Sequence, residues 1–178
     1  IVLAQKGYHG TTMEDIASHL FMTKGSLYYY FKNKQELVYE SQIKLLNKSI
    51  ENVKQINKTS IPSVDKLKKF IDLHITFLIE NKSGFELMAK PEEIFATEQL
   101  KEIYQLREIY AEHYDNLLER GKQDGSFCIR ENEVKIVRNL ILGAMNWMTQ
   151  WHSSEGSKPL PAFVEAITQY LLRLVTRN

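Results

Sequence analysis

Hydrophobic residues recur every three or four positions along most of this chain, which is the period of an α-helix. The four prolines fall where this periodicity breaks, and no Asn-Gly or Asp-Gly turn lies between alternating apolar runs. The pattern therefore predicts an all-α protein. The expected helices cover residues 1–6, 12–19, 23–30, 33–57, 63–80, 86–95, 97–123, 131–152 and 160–175.

Two short segments near the beginning of the chain carry helix-start signals. Thr12 is followed at the third position by Asp15, close to a capping box, and Thr23 opens the next segment. The three residues 20–22 between the segments predict a helix-turn-helix, whose second helix enters the DNA major groove with its N-terminal residues toward the bases. The side chains expected on its inward side are Ile16, Ala17, Leu20, Leu27 and Phe31.

The same region has a mild excess of positive charge, although the net charge of +1 does not by itself indicate a nucleic-acid-binding protein. Residues 1–48 hold six lysines against four acids. Within them, residues 22–34 contain three lysines and four aromatic residues and no acid. This mixture fits a phosphate backbone. The alternative is that Tyr28–Tyr30 are core aromatics and the lysines form a solvated face.

The segments Gly7–Ala17 and Lys24–Leu37 resemble the heads of TetR-family bacterial regulators. The family's first helix normally begins before Ile1, so the head is expected to be incomplete at its N-terminus, and Leu20-Phe21-Met22 stands where the family often has a glycine. The resemblance implies a three-helix DNA-binding head at 1–46. It also implies a larger helical body at 47–178, which dimerises through its last two helices and binds a small effector. The implied function is a transcriptional regulator, a repressor released from operator DNA by that effector.

Base and phosphate contacts are expected from the start of the second short helix and from the neighbouring helix starts. Lys24 can reach a guanine edge or a phosphate, and the Tyr29 hydroxyl can reach the backbone. Helix starts at Thr12 and Lys34 can meet phosphates. The DNA-contact residues predicted are Thr12, Lys24, Gly25, Ser26, Tyr28, Tyr29 and Lys34.

The last two predicted helices have apolar residues on more than one side, so each needs two packing partners. In 131–152, Leu140 and Trp147 widen a stripe that is formed by Val134, Val137, Ile141, Ala144, Met148 and Trp151. A four-helix interface between two copies of the chain is the natural use of these faces. The interface residues predicted on the final helix are Phe163, Ile167, Tyr170, Leu171 and Leu174.

Two polar residues fall on faces that should be buried. His74 lies among apolar residues in 63–80, and Arg107 lies in an aromatic stripe in 97–123. His74 can be a satisfied core histidine or a ligand contact. Arg107 can serve a carboxylate of the protein or an anionic ligand, because a buried guanidinium needs a partner.

Residues 142–152 and 104–110 resemble segments of the acyl-coenzyme-A-responsive members of the family, which implies a fatty acyl-CoA effector. A hydrophobic antibiotic, in a regulator of drug efflux, is the alternative, and the Trp and Met residues can also be dimer core. The ligand-contact residues predicted are His74, Phe77, Met88, Arg107, Tyr110, Tyr114, Asn146, Trp147 and Trp151.

The sequence lacks the motifs of the common enzyme and metal sites. It has no Gly-x-Ser-x-Gly elbow, Walker loop, Gly-x-Gly-x-x-Gly or His-Glu-x-x-His, and its histidines lack metal-ligand spacing. We therefore expect no enzyme activity, cofactor or metal, with an acyl-CoA-handling enzyme or a pure interaction module as the alternatives. A lone Cys128, no signal-peptide pattern and no apolar run of membrane-spanning length favour a cytoplasmic protein.

Overall fold

The computed structural model describes residues 2–82, 90–152 and 159–176, except for the side chains of Ala4 and Thr149. The regular elements in these parts of the chain are all helices, which confirms the all-α prediction. The helices are α1 (Val2–Gly10), α2 (Met13–His19), α3 (Lys24–Tyr30), α4 (Lys34–Lys58), α5 (Ser63–Glu80), α6 (Thr97–Gln123), α7 (Val134–Trp151) and α8 (Leu160–Leu172), with a 3-10 turn at Pro91–Glu93.

The helix predicted at 86–95 is wrong over the residues that the structure describes. Residues 86–89 lie outside the described ranges, and from Lys90 onward the chain makes one turn in which the Phe95 N–H donates to the Pro91 carbonyl at 2.9 Å. Phe95 is buried, and the rings of Phe95 and Tyr39 meet with centroids 6.1 Å apart. Packing of Phe95 therefore decides the backbone here, over local helical periodicity.

The chain divides into two compact units, each with its own core. The first contains residues 1–47 and 81–106, and the second contains residues 48–80 and 107–178. Helices α4 and α6 each contribute residues to both units. The predicted division of the chain between residues 46 and 47 stays a prediction.

The core of the first unit is built on the helix-turn-helix. Ile16, Ala17 and Leu27 are buried as predicted, and Phe31 is partly buried against them. Leu20 is not inward, because its side chain is 51% exposed. It is the C-cap of α2, where its N–H still donates to the Ile16 carbonyl at 3.0 Å while the chain leaves the helix, so its side chain leaves the packed face.

The second unit has a larger apolar core that draws on α5, α6, α7 and α8. The Phe70 ring packs edge-on against Tyr114 with centroids 4.8 Å apart, and both side chains are fully buried. At the end of α6, a Cβ on Gly121 would lie 2.0 Å from the buried Phe127 ring, so only glycine fits there. Each large apolar side chain buried in this way contributes roughly 1.5–3 kcal/mol. The buried members of α5 are Ser63, Leu67, Phe70, Ile71, Ile75 and Leu78.

Candidate nucleic-acid interface and ligand site

The short helices of the first unit are fixed by the caps that the sequence predicts. The Asp15 N–H donates to Thr12 Oγ1 at 3.1 Å while the Thr12 N–H donates to Asp15 Oδ2 at 2.8 Å, which is a complete capping box. The Ser26 N–H donates to Thr23 Oγ1 at 3.0 Å. These bonds set where α2 and α3 begin, and hence which residues stand at the start of α3.

The start of α3 presents its side chains to solvent. Lys24, Gly25 and Ser26 are exposed, and so are all three tyrosines that follow Leu27, with Tyr29 at 84%. The interpretation of Tyr28–Tyr30 as core aromatics is therefore wrong for this chain. Leu27 is the buried residue of α3, and the side chains on either side of it are exposed to solvent.

Lys24 is engaged within the free protein. Its ammonium donates to Glu14 Oε1 of α2, and it lies 5.9 Å from the centre of the Tyr28 ring. Hydrogen bonding to Lys24 lowers the pKa of Glu14, and the same bond raises the pKa of Lys24. Both side chains are more than half exposed, so the pair can open when a phosphate or a base edge is offered.

Lys34 has a different surrounding from the other predicted DNA-contact residues. Its Nζ donates to the carbonyls of Tyr8 at 2.5 Å and Thr11 at 2.8 Å, and it lies 4.3 Å above the Tyr8 ring. The side chain is half-buried. Lys34 thus ties the end of α1 to the start of α4, while Thr12 is exposed but uses its hydroxyl oxygen as the cap of α2.

In the second unit, four of the predicted ligand-contact residues form one chain of hydrogen bonds. His74 Nε2 donates to Asn146 Oδ1 at 3.0 Å, and the Tyr110 hydroxyl donates to His74 Nδ1 at 2.6 Å. The Tyr114 hydroxyl shares its one proton between two acceptors, the Tyr110 oxygen and the Phe70 carbonyl, each 3.4 Å away. Polar groups from α5, α6 and α7 therefore meet at the edge of the apolar core, with Tyr114 buried, His74 and Tyr110 half-buried, and Asn146 exposed.

Burial sets the protonation of this chain. It lowers the pKa of His74 to about 4, and it raises the pKa of Tyr110 and of Tyr114 above the ordinary tyrosine value. At neutral pH His74 is therefore a neutral imidazole that donates at Nε2 and accepts at Nδ1. The chain of hydrogen bonds therefore consists of hydroxyl, imidazole and amide groups and carries no net charge.

The other predicted ligand-contact residues differ in their exposure. Phe77 and Arg107 are half-buried, while Trp147 and Trp151 are exposed. Met88 lies outside the described residues. The buried guanidinium expected at Arg107 is found instead at Arg138.

Arg138 on α7 is only 7% exposed, and its Nε lies 3.4 Å from Asp115 Oδ1 on α6. Neither of these two atoms has a hydrogen bond, and burial raises the pKa of Asp115 although Arg138 opposes the shift. This pair was not identified from the sequence. The signal was the spacing of Val134, Arg138, Ile141, Met145 and Met148, which are the buried positions of α7.

The opposite side of α7 is apolar as well. Ile136, Leu140, Trp147 and Trp151 are exposed, and Gly143 has open space where a Cβ would stand. On α8, Tyr170 is exposed, Phe163 and Ile167 are half-buried, and Leu171 is buried in the chain's own core, while Leu174, just after α8, is exposed. We name these exposed apolar residues of α7 and α8 the outward face.

Other kinds of site find no support in residues 2–82, 90–152 and 159–176. No group of three or more His, Cys, Asp or Glu side chains in these ranges could hold a metal ion. No helix in them has both the length and the apolar character to cross a membrane.

The compact helix-turn-helix with an exposed second helix, joined in one chain to a helical unit, defines a DNA-binding regulator. Comparison with known proteins gives its family. Residues 1–40 match the family described as "Bacterial regulatory proteins, tetR family", and residues 60–175 match "Tetracyclin repressor-like, C-terminal domain". The chain belongs to the TetR family of transcriptional regulators, as the sequence predicts, and this is a family of regulators rather than enzymes.

Individual relatives align with nearly the whole chain. The fatty acid metabolism regulator protein of Bacillus subtilis is 24% identical over 174 residues, which are 96% of this chain and 88% of the relative. The TetR-family regulator PfmR of Thermus thermophilus is 25% identical, with a TM-score of 0.83 over 96% of this chain and 92% of its own. The regulator FadR of Bacillus subtilis, solved in complex with stearoyl-CoA, is 22% identical, with a TM-score of 0.75 over 97% and 92%.

Proposed function

We propose that this regulator is a homodimeric repressor that leaves its operator when a fatty acyl-CoA binds to the second unit. The observation that carries the ligand part is the chain of hydrogen bonds from Asn146 through His74 and Tyr110 to Tyr114. Burying a polar group against apolar side chains costs free energy unless the group forms a hydrogen bond. Ligand sites that are mostly apolar use a few such polar groups to orient an amphipathic ligand.

Two further observations support the proposal. The regulator FadR of Bacillus subtilis, whose structure matches 97% of this chain, was solved in complex with stearoyl-CoA. The half-buried Arg107 on α6 has a guanidinium suited to the phosphates of a coenzyme A head group. The proposal includes a cytoplasmic location and a role for α4, whose residues belong to both units, in transmitting the ligand signal.

The DNA-binding part is tested with the full-length protein and a duplex that it selects from a random pool. Lys24→Ala and Tyr28→Ala each remove a group from the start of α3, so each should weaken operator binding by roughly 5–100-fold. Lys44→Ala, which removes an equal charge from the exposed surface of α4, is the matched control and should have a smaller effect. Retention of wild-type operator affinity by both α3 variants would contradict the assignment.

The effector part is tested by native mass spectrometry of the protein as purified, followed by gel-shift titration with acyl-CoAs and with the corresponding free acids. Release of the operator by acyl-CoA at lower concentration than by the free acid is the expected result. Arg107→Ala should raise the acyl-CoA concentration needed, and Tyr110→Phe, which removes one hydroxyl, should do the same. Release by a hydrophobic antibiotic and not by any acyl-CoA would overturn this effector and favour a drug-sensing regulator.

A further inference from the structure

Phe21, in the turn between α2 and α3, has an unusual combination of features. Its side chain is 99% exposed, and its backbone is left-handed with φ of 55°. Among the described residues, the other non-glycine residue with positive φ is Asn132, a residue type that tolerates this conformation. A phenylalanine at this position is unfavourable in two ways, because its backbone is strained and its large apolar ring is exposed to water.

The turn itself does not need the phenyl ring. The Phe21 N–H donates to the Ser18 carbonyl at 3.2 Å, and the Met22 N–H donates to the Ala17 carbonyl at 2.9 Å. Both bonds join backbone atoms, so a glycine at position 21 would make them without strain. The ring packs against no other part of the protein, so we look for its role in a contact with another molecule.

The position of Phe21 indicates where that use lies. It precedes Lys24, the first residue of α3, by three positions, and the residues that follow at the start of α3 are exposed. In a helix-turn-helix, this end of the second helix faces the base edges while the preceding helix crosses the sugar-phosphate backbone. A ring that projects from the turn lies at the rim of that contact.

We propose that Phe21 makes an apolar contact with the operator, against a thymine 5-methyl group or an adjacent deoxyribose. Both are apolar surfaces at the edge of the major groove, and the thymine methyl accepts contacts from apolar side chains. The proposal rests on the DNA-binding function of this chain and adds a contact from a residue in the turn rather than in the helix. It makes position 21 a determinant of operator affinity.

The experiment uses the full-length dimer and a duplex selected from a random pool by the wild-type protein. Phe21→Gly should bind that duplex at least about 5-fold more weakly, while its thermal unfolding midpoint stays equal or rises. Phe21→Leu keeps an apolar side chain and should recover most of the affinity. Wild-type affinity in Phe21→Gly, or a loss of affinity together with a lower unfolding midpoint, would overturn the proposal.

Duplexes in which single thymines are replaced by deoxyuridine separate the two sources of the contact. If Phe21 touches a methyl group, one replacement weakens the wild type and has no further effect on Phe21→Gly. If every replacement is silent while Phe21→Gly stays weak, the contact is to deoxyribose. If the wild-type protein selects no duplex at all, the proposed DNA-binding function is contradicted, and the Phe21 contact is contradicted with it.

Discussion

Single residues of the first unit already have partners in the absence of DNA. Lys24 pairs with Glu14, Lys6 pairs with Asp15 at 2.6 Å, and Lys34 donates to two backbone carbonyls. Exposed ion pairs contribute little to stability, so the Lys24 pair can exchange for a phosphate at small cost. Lys34 would have to give up bonds that hold α1 to α4, so we expect it to act mainly by fixing that geometry.

Glu14 therefore limits how strongly Lys24 attracts any DNA. Glu14→Gln removes the carboxylate and should tighten binding to random-sequence DNA by about 2–10-fold at low salt, with a smaller effect at high salt, because the contact is electrostatic. Fluorescence anisotropy with a random duplex at two salt concentrations measures this. Glu40→Gln, which removes the same charge from the exposed surface of α4, is the control, and an equal effect in both variants would rule out a specific action of Glu14.

His74 makes the stability of the second unit depend on pH. Its pKa is about 4 in the folded chain and close to 6.5 when unfolded, so the unfolded state binds more protons between these values. Stability is retained above pH 6.5 and is lost as pH falls toward 4. From pH 7 to pH 5 the loss through this residue should be about 1–2 kcal/mol.

Urea unfolding at pH 7, 6 and 5 tests the contribution of His74. In His74→Gln, which cannot titrate, the free energy of unfolding should fall less over this range than in the wild type. The Gln side chain keeps one hydrogen-bonding group near Asn146 and Tyr110, so the variant should remain folded. Parallel pH profiles for the two proteins would contradict the role of His74.

A residue's contacts could be predicted from the sequence when its partner lies close to it along the chain, and not when the partner is distant. The Thr12–Asp15 box is local, and both of its bonds follow from the two residue types three positions apart. The partners of Lys34 are Tyr8 and Thr11, which lie 26 and 23 positions earlier, and no local pattern indicates them. His74 could be placed on a core face, but its bonds to Tyr110 and Asn146 required the fold.

At the level of the element, α7 shows why periodicity alone does not identify the buried side. Apolar residues lie on two faces, and the predicted stripe combined Val134, Ile141 and Met148, which are buried, with Ala144 and Trp151, which are exposed. The buried face is displaced by about one residue and includes Arg138. Only the packing partner on α6, Asp115, makes that position acceptable for a charge.

The Asp115–Arg138 pair gives a prediction for the α6–α7 contact. Asp115→Ala leaves a buried guanidinium without its carboxylate and should cost roughly 2–4 kcal/mol of unfolding free energy. Adding Arg138→Met, which replaces the charge by an apolar chain, should recover at least half of that loss. Chemical denaturation measures both values, and a double variant no more stable than Asp115→Ala alone would show that the unpaired charge is not the cause.

At the level of the whole molecule, the all-α class and the family could be predicted because both depend on local signals: helical periodicity, two caps and the Lys24–Leu37 segment. The assignment of residues 81–106 to the first unit could not. It depends on Phe95 and Ile103 being buried with Leu27 and Leu37, which are distant in sequence. Burial of Leu171 in its own chain, where an interface residue was predicted, has the same origin.

The outward face predicts that the whole molecule assembles as a dimer. The Trp151 ring of α7 lies 5.4 Å from the Phe163 ring of α8, so the exposed apolar residues of the two helices adjoin, and a second copy of the chain would cover them. Leu140→Glu and Tyr170→Glu would each bury an unpaired charge in that contact and should raise the dimer dissociation constant by roughly 100-fold or more. Asn139→Glu and Gln169→Glu, which add a charge at the exposed polar neighbour of each site, are the matched controls.

Light scattering measures the mass of each variant, and circular dichroism measures its helicity. A Leu140→Glu or Tyr170→Glu protein that stays both folded and dimeric would show that the dimer interface lies elsewhere. Leu171 is unsuitable for this test, because a charge there would disrupt the core of the single chain before it reached any partner.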